Sequence, residues 1–208
     1  QVFSNSSALL MTASNENTIA NSHICGMSFL DDSNNNTIME CNLTSLYTTA
    51  LYLYVAKYNT ITGCDIYGTL HLDYAEWNNV SNNRFWSGGI EITGAYRQQM
   101  FNNTYNHRPV YYYYNQTEFS VPPDAGIVFL VNCNNVTAEG LNISDVAVGM
   151  LVENSNLITI RNSTFQRTTY ASLYVLESRN VLIDSAAFIN NTFETLILNA
   201  TENVTLID

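Results

Sequence analysis

The sequence predicts an all-β parallel β-helix of about nine to ten coils. Three observations carry that reading. An asparagine-opened segment recurs about every 20 residues, short apolar runs alternate with period two, and no window offers an apolar stripe at helical spacing. The openers are Asn17, Asn36, Asn59, Asn79, Asn135, Asn156, Asn180 and Asn203. The wide gap between Asn79 and Asn135 holds a hidden repeat opened by Gln99 and an insertion, roughly residues 105–124, rich in tyrosine and proline. Residues 1–208 are expected to form one domain.

Each repeat supplies its elements in a fixed order. After the opener comes a short β-branched run, as in Asn59–Thr62 and Asn180–Ile183. A large apolar anchor follows: Ile24, Leu43, Ile66, Phe85, Ile143, Phe165 or Phe188. The second run alternates, as in Leu51–Val55, Leu70–Leu72, Ile90–Ile92, Val128–Leu130, Leu173–Val175 and Leu196–Leu198. Alternation over so few residues, bounded by Asn, Ser, Gly and Asp, reads as short strands between turns. A helical solenoid would need longer uninterrupted runs. A unit of this length cannot bury its apolar face alone and must stack on its neighbours. Asparagine is present in 29 copies, and stacked asparagines at coil corners can bond along the axis as amide ladders while tolerating left-handed turns.

The runs Asn134–Thr137, Gly89–Ile92 and Gly126–Leu130 resemble the right-handed parallel β-helix repeats of the pectin-lyase-like and NosD-like superfamily. The resemblance extends from about Ser14 to Asp208. It implies a right-handed solenoid and an affinity with surface proteins of methanogenic archaea. It leaves function open, because one scaffold hosts many activities.

Charge and sequons point to an extracellular, cell-surface location. A net charge of −11 with seven basic residues disfavours nucleic acid, which requires a cationic surface, and anionic lipid heads. No apolar stretch is long enough for membrane insertion. The chain begins at glutamine, which implies processing or a fragment of a longer solenoid. Of twelve Asn-x-Ser/Thr sequons, the glycosylation candidates are Asn102 and Asn115, flanking the insertion, and Asn5, Asn35, Asn42, Asn162 and Asn190. No cofactor or metal is expected: the three histidines fall in different repeats and the cysteines lack zinc spacing.

Cys41 and Cys64 occupy equivalent positions in consecutive coils, where either a disulfide or two buried thiols fits. Cys25 and Cys133 lie too far apart to pair, so each is free or bonds another chain. Two prolines, Pro122 and Pro123, exclude a ladder strand at that point. The insertion's Tyr111, Tyr112, Tyr113 and Tyr114 must fold back on the solenoid, meet a partner or stack on sugar. Reading the outward position of the second run gives Ser28, Tyr52, His71 and Glu91, then Phe129, Leu151, Tyr174 and Ile197, with Leu10 of a following copy. The apolar half of that column, with the four tyrosines, is the expected lateral interface.

The first and last half-repeats complete each other, so an axial joint is expected through Val2, Phe3, Val204, Leu206 and Ile207. His71 and Glu91, one coil apart, are the one pair placed as acid and base; a surface ion pair is the expected role. Other acids, among them Asp31, Asp73, Glu76 and Glu153, are spread along the chain. The expected function is therefore a self-assembling structural subunit, not an enzyme, that polymerises with itself into a fibre, sheath or surface layer and carries covalent glycans. The alternative is a carbohydrate-active enzyme or glycan-binding adhesin.

Overall fold

Every coil must turn sharply without a glycine at each corner, and left-handed residues do this. In three successive coils φ is positive at Asp32, Val55 and Tyr74, at Asn35, Tyr58 and Trp77, and at Glu40, Gly63 and Asn82. Such a conformation costs a non-glycine residue about 1–2 kcal/mol. It is held by the stacking: the amides of Asp32, Asn35 and Glu40 donate to the carbonyls of Tyr54, Lys57 and Thr62 one coil on, at 3.0–3.1 Å. Gly94 continues the first of these columns, and a side chain there would stand 2.7 Å from the Tyr74 ring.

The computed structural model describes residues 2–95 and 97–208, with the backbone alone for 2–7 and 46–48. It is all-β and divides into two compact units, Gln1–His107 and Arg108–Asp208. The first unit holds β1 (Val2–Thr12), β2 (Thr18–Ala20), β3 (His23–Asp31), β4 (Thr37–Met39), β5 (Asn42–Tyr54), β6 (Thr60–Thr62), β7 (Asp65–Asp73), β8 (Asn79–Ser81), β9 (Arg84–Thr93), β10 (Gln99–Phe101) and β11 (Thr104–Tyr105). Odd-numbered strands stack in parallel as one long-stranded sheet, and even-numbered ones as a short-stranded sheet. Between them Ile24, Leu43, Ile66 and Phe85 form one buried column, and Ile38, Ile61 and Val80 another.

The asparagine ladder is real but displaced. Asn17, Asn36, Asn59, Asn78 and Gln98 form it: each backbone amide donates to the amide oxygen of the next, at 2.8–3.0 Å. The openers Asn79 and Gln99 instead start β8 and β10, in register with Thr60 and Asn79. Doubled asparagine and glutamine hide the frame. A second ladder runs through Cys64, Asn83 and Asn103.

The second unit holds β12 (Arg108–Tyr114), β13 (Thr117–Val121), β14 (Ile127–Val131), β15 (Asn134–Glu139), β16 (Asn142–Ser144), β17 (Val148–Glu153), β18 (Asn156–Arg161), β19 (Thr164–Gln166), β20 (Ala171–Leu176), β21 (Arg179–Asp184), β22 (Ala187–Ile189), β23 (Glu194–Asn199) and β24 (Glu202–Ile207). Three parallel stacks result: β12-β14-β17-β20-β23, β13-β15-β18-β21-β24 and β16-β19-β22. Ile143 and Phe165 share a column with Phe188, whose ring stacks on Phe165 at 5.6 Å. Serine replaces asparagine inside: Cys133 N donates to Ser155 Oγ and Ser155 N to Ser178 Oγ, both at 3.0 Å.

Several sequence expectations change here. The stretch expected as an insertion is largely an ordinary coil: Tyr111, Tyr112, Tyr113 and Tyr114 belong to β12 and pair with β14, while Pro122 and Pro123 fall in the turn after β13. Phe129 and Leu151 are not surface residues; they are 0% and 1% exposed. All of β14 and β17 is buried, on both faces, so their outward positions belong to packed structure. Tyr174 and Ile197 are half-buried and Leu10 is 63% exposed. Ser28 is also misplaced: regular alternation along β3 points it inward, and the extra residues of β5 between Thr44 and Leu51 put Phe29 opposite Tyr52.

Within the chain none of the four cysteines is bridged to another. Cys41 and Cys64 stand in adjacent coils without a bridge, each donating to the carbonyl two residues back, at 3.2 and 3.4 Å. Burial pushes the Cys64 thiol up to about 11. Cys133 is buried and Cys25 half-buried. Val204 is half-buried, whereas Leu206 and Ile207 are exposed. The backbones of Val2 and Phe3 pair with Ile24 and Cys25; their side chains lie outside the described residues.

Candidate functional site

The outer face of the first unit's long sheet gathers its chemistry. Inward Leu30, Leu53, Leu72 and Ile92 are buried and fix four strands in register. The residues on either side of them therefore point out, in two columns. One reads Leu10, Phe29, Tyr52, His71 and Glu91; the other reads Thr12, Asp31, Tyr54, Asp73 and Thr93.

Side chains in the first column touch from coil to coil. Phe29 and Tyr52 stack with ring centroids 5.1 Å apart and planes 11° off parallel. The edge of His71 meets Tyr52 at 4.7 Å. His71 Nδ1 lies 3.9 Å from Glu91 Oε2, and His71 Nε2 lies 3.5 Å from Thr93 Oγ1. The Tyr52 hydroxyl crosses to the second column and donates to Asp73 Oδ2 at 2.6 Å. The other Asp73 oxygen, Oδ1, is buried without a hydrogen-bond partner.

Burial raises the Glu91 carboxyl above the usual range; the nearby Asp73 charge adds to this and His71 opposes it. Burial and the bond to Asp73 likewise push the Tyr52 hydroxyl up. The site thus holds one carboxyl that keeps its proton longer than usual and a second that accepts a hydrogen bond. The two stand on adjacent strands two positions out of step, about 8 Å apart at their Cα atoms by strand geometry.

An aromatic ledge lies earlier in β7 and β9, on the other side of the bend at Gly68 and Gly88. Tyr67 and Trp86 stack at 6.1 Å, and the Trp86 ring meets the edge of His107 at 4.9 Å. Trp86 Nε1 donates to Asp65 Oδ1 at 3.0 Å. Arg84 also binds Asp65 through Nε at 2.7 Å, and together these bonds hold the Asp65 carboxyl below the usual range. At the adjoining corners Tyr58, Tyr74 and Trp77 are exposed, with the Arg97 guanidinium 5.3 Å from the Trp77 ring centre.

The sequence named His71, Glu91, Asp73 and Tyr52, and the structure joins all four. It did not find the Tyr52–Asp73 bond, Phe29 or the Tyr67–Trp86 ledge. The signal for that ledge was available, since the two aromatics follow equivalent anchors, Ile66 and Phe85. Among the described residues no group of three His, Cys, Asp or Glu is placed to hold a metal ion.

The second unit carries a polar groove of about 480 Å³ lined by Asn132, Asn134, Asn154, Asn156, Glu177 and Arg179, among others. Asn156 there donates to Asn134, and Asn180 to Asn156, both at 2.8 Å, so the amides are engaged with each other. The sequons Asn35, Asn42, Asn102, Asn115, Asn162 and Asn190 are exposed; the Asn5 side chain lies outside the described residues.

A family model described as "right handed beta helix region" matches residues 2–205. No curated protein matches the sequence. Similar solved structures include QnrB1, a plasmid-mediated fluoroquinolone resistance protein, at 10% identity over 89% of this chain and 92% of that one, with a TM-score of 0.38. An alginate lyase from Paenibacillus sp. str. FPU-7 is 11% identical over 88% and 76%, with a TM-score of 0.37. The A-module of the Azotobacter vinelandii mannuronan C-5 epimerase AlgE4 is 12% identical over 96% and 82%, with a TM-score of 0.35. The expectation that the chain is not an enzyme is corrected by these structures: two of the three are enzymes, so the scaffold gives no ground for excluding catalysis. Likeness at this level reaches the fold alone and assigns no activity.

Proposed function

From the chain's membership of the right-handed β-helix family, we propose that it is an exported, carbohydrate-active protein that binds a glycan across the outer face of its first unit and cuts it by acid–base chemistry. One observation carries the reading: the stacked Phe29–Tyr52 pair leads directly into the Tyr52–Asp73 and His71–Glu91 contacts. Aromatic faces offer apolar area with polar edges, suited to sugar rings. Glu91, with its raised affinity for a proton, gives that proton to the bridging oxygen as the glycosidic bond breaks. Water adds to the anomeric carbon and loses its proton to Asp73, while His71 and Tyr52 hold the two carboxyls in place. Export is supported by the exposed sequons, which would carry covalent glycans.

Binding tests the first half of this reading. The protein should retain soluble polysaccharide in affinity electrophoresis, and Trp86→Ala with Tyr67→Ala should weaken retention while leaving the fold intact. Unchanged retention in the double variant removes the ledge from the reading.

A second reading, a homopolymer forming a fibre, sheath or surface layer, rests on a separate observation. Leu206 is 59% exposed, whereas Ile183 in the same column is fully buried. A second copy, or further coils of a longer chain, stacked on β23 and β24 would cover it, and the two cases differ in whether assembly depends on concentration. Sedimentation should show concentration-dependent assembly that Leu206→Lys abolishes. A monomer at all concentrations rules the reading out.

A further inference from the structure

We infer that the site on the first unit selects against anionic sugars and takes a glycan that carries no negative charge. This rests on the glycan reading above and adds to it the sign of the charge. The two outward columns place Asp31, Asp73 and Glu91 on one face, and neither column contains a lysine or arginine.

The cations of this unit are engaged elsewhere. Arg84 is bound to Asp65, Arg97 lies over Trp77, and Lys57 belongs to the corner between β5 and β6. A sugar carboxylate laid on Phe29 and Tyr52 would face Asp31 beside it on β3 and Asp73 one strand beyond Tyr52, with no lysine or arginine in either column to neutralise it. The chain's net charge of −11 adds the same sign at longer range.

Three soluble polymers test the inference: a neutral β-glucan, the amine-bearing glycol chitosan, and polygalacturonate. Binding to the purified chain is measured by calorimetry at low and high salt. The β-glucan or the glycol chitosan should bind at least about tenfold more tightly than polygalacturonate at low salt. For the neutral polymer this gap should narrow as salt is added. Asp31→Asn, which leaves Glu91 and Asp73 in place, should narrow the gap at low salt as well. Polygalacturonate binding as tightly as the other two would overturn the charge selection and leave the glycan reading standing. Failure of all three polymers to bind would overturn the glycan reading and this inference with it.

Discussion

Asn59 shows how a single side chain holds a coil corner. Its amide nitrogen donates to Ser33 O and Asn78 Oδ1, and its oxygen accepts from the amide and side chain of Asn36. All of this is buried. Asn59→Leu would leave several polar groups unpaired at about 1–3 kcal/mol each, so urea unfolding should show a loss of about 3 kcal/mol or more. Asn180→Ala, in the half-buried ladder of the second unit and at a left-handed position, should cost about 1–2 kcal/mol. Glu91 gives the pH dependence. Because its folded pKa is raised, the folded state holds the proton more tightly than the unfolded chain does. Stability is then greatest below the unfolded value and falls as pH rises towards the folded one. Glu91→Gln should flatten that fall above about pH 4, read from thermal unfolding. An identical slope in the variant contradicts the assigned burial.

At the scale of strands, alternation was legible and its meaning was not. In β7, the inward set Leu70 and Leu72 and the outward set His71 and Asp73 follow directly from the period of two. In β14 the same period is present, yet Phe129 is as buried as Val128. Apolar residues on both phases mark a strand covered on both sides, a distinction periodicity alone does not make. Leu151→Lys should therefore destabilise by about 3–5 kcal/mol, whereas Ile197→Lys should be tolerated within about 1 kcal/mol. Equal, small effects of the two would restore the surface stripe. The ladder frame slipped for a related reason. Asn78 and Asn79 are both plausible openers, and only the register of β8 against β6 decides between them. Phe29 was missed because β5 carries extra residues between Thr44 and Leu51 against Cys25–Ser28 of β3, so the two strands fall out of step by count, which composition does not reveal.

For the whole molecule, the repeat was enough to give a parallel β-helix, because stacking is the one way such short apolar runs can be buried. It did not give the division into two units, nor the change from a two-sheet to a three-sheet coil. Both depend on where turns fall, and asparagine marks nearly every turn. The functional face was half legible: the sequence placed His71 beside Glu91, but the bond from Tyr52 to Asp73 required the register of β5 on β7. The reading therefore stands or falls on Glu91. The direct measurement is release of new reducing ends from a soluble glycan that the protein binds, comparing the native chain with Glu91→Gln. The account predicts steady release by the native chain and a loss of at least about 100-fold in the variant, with binding retained. Equal release by both, or none by a native chain that binds the glycan, would contradict it.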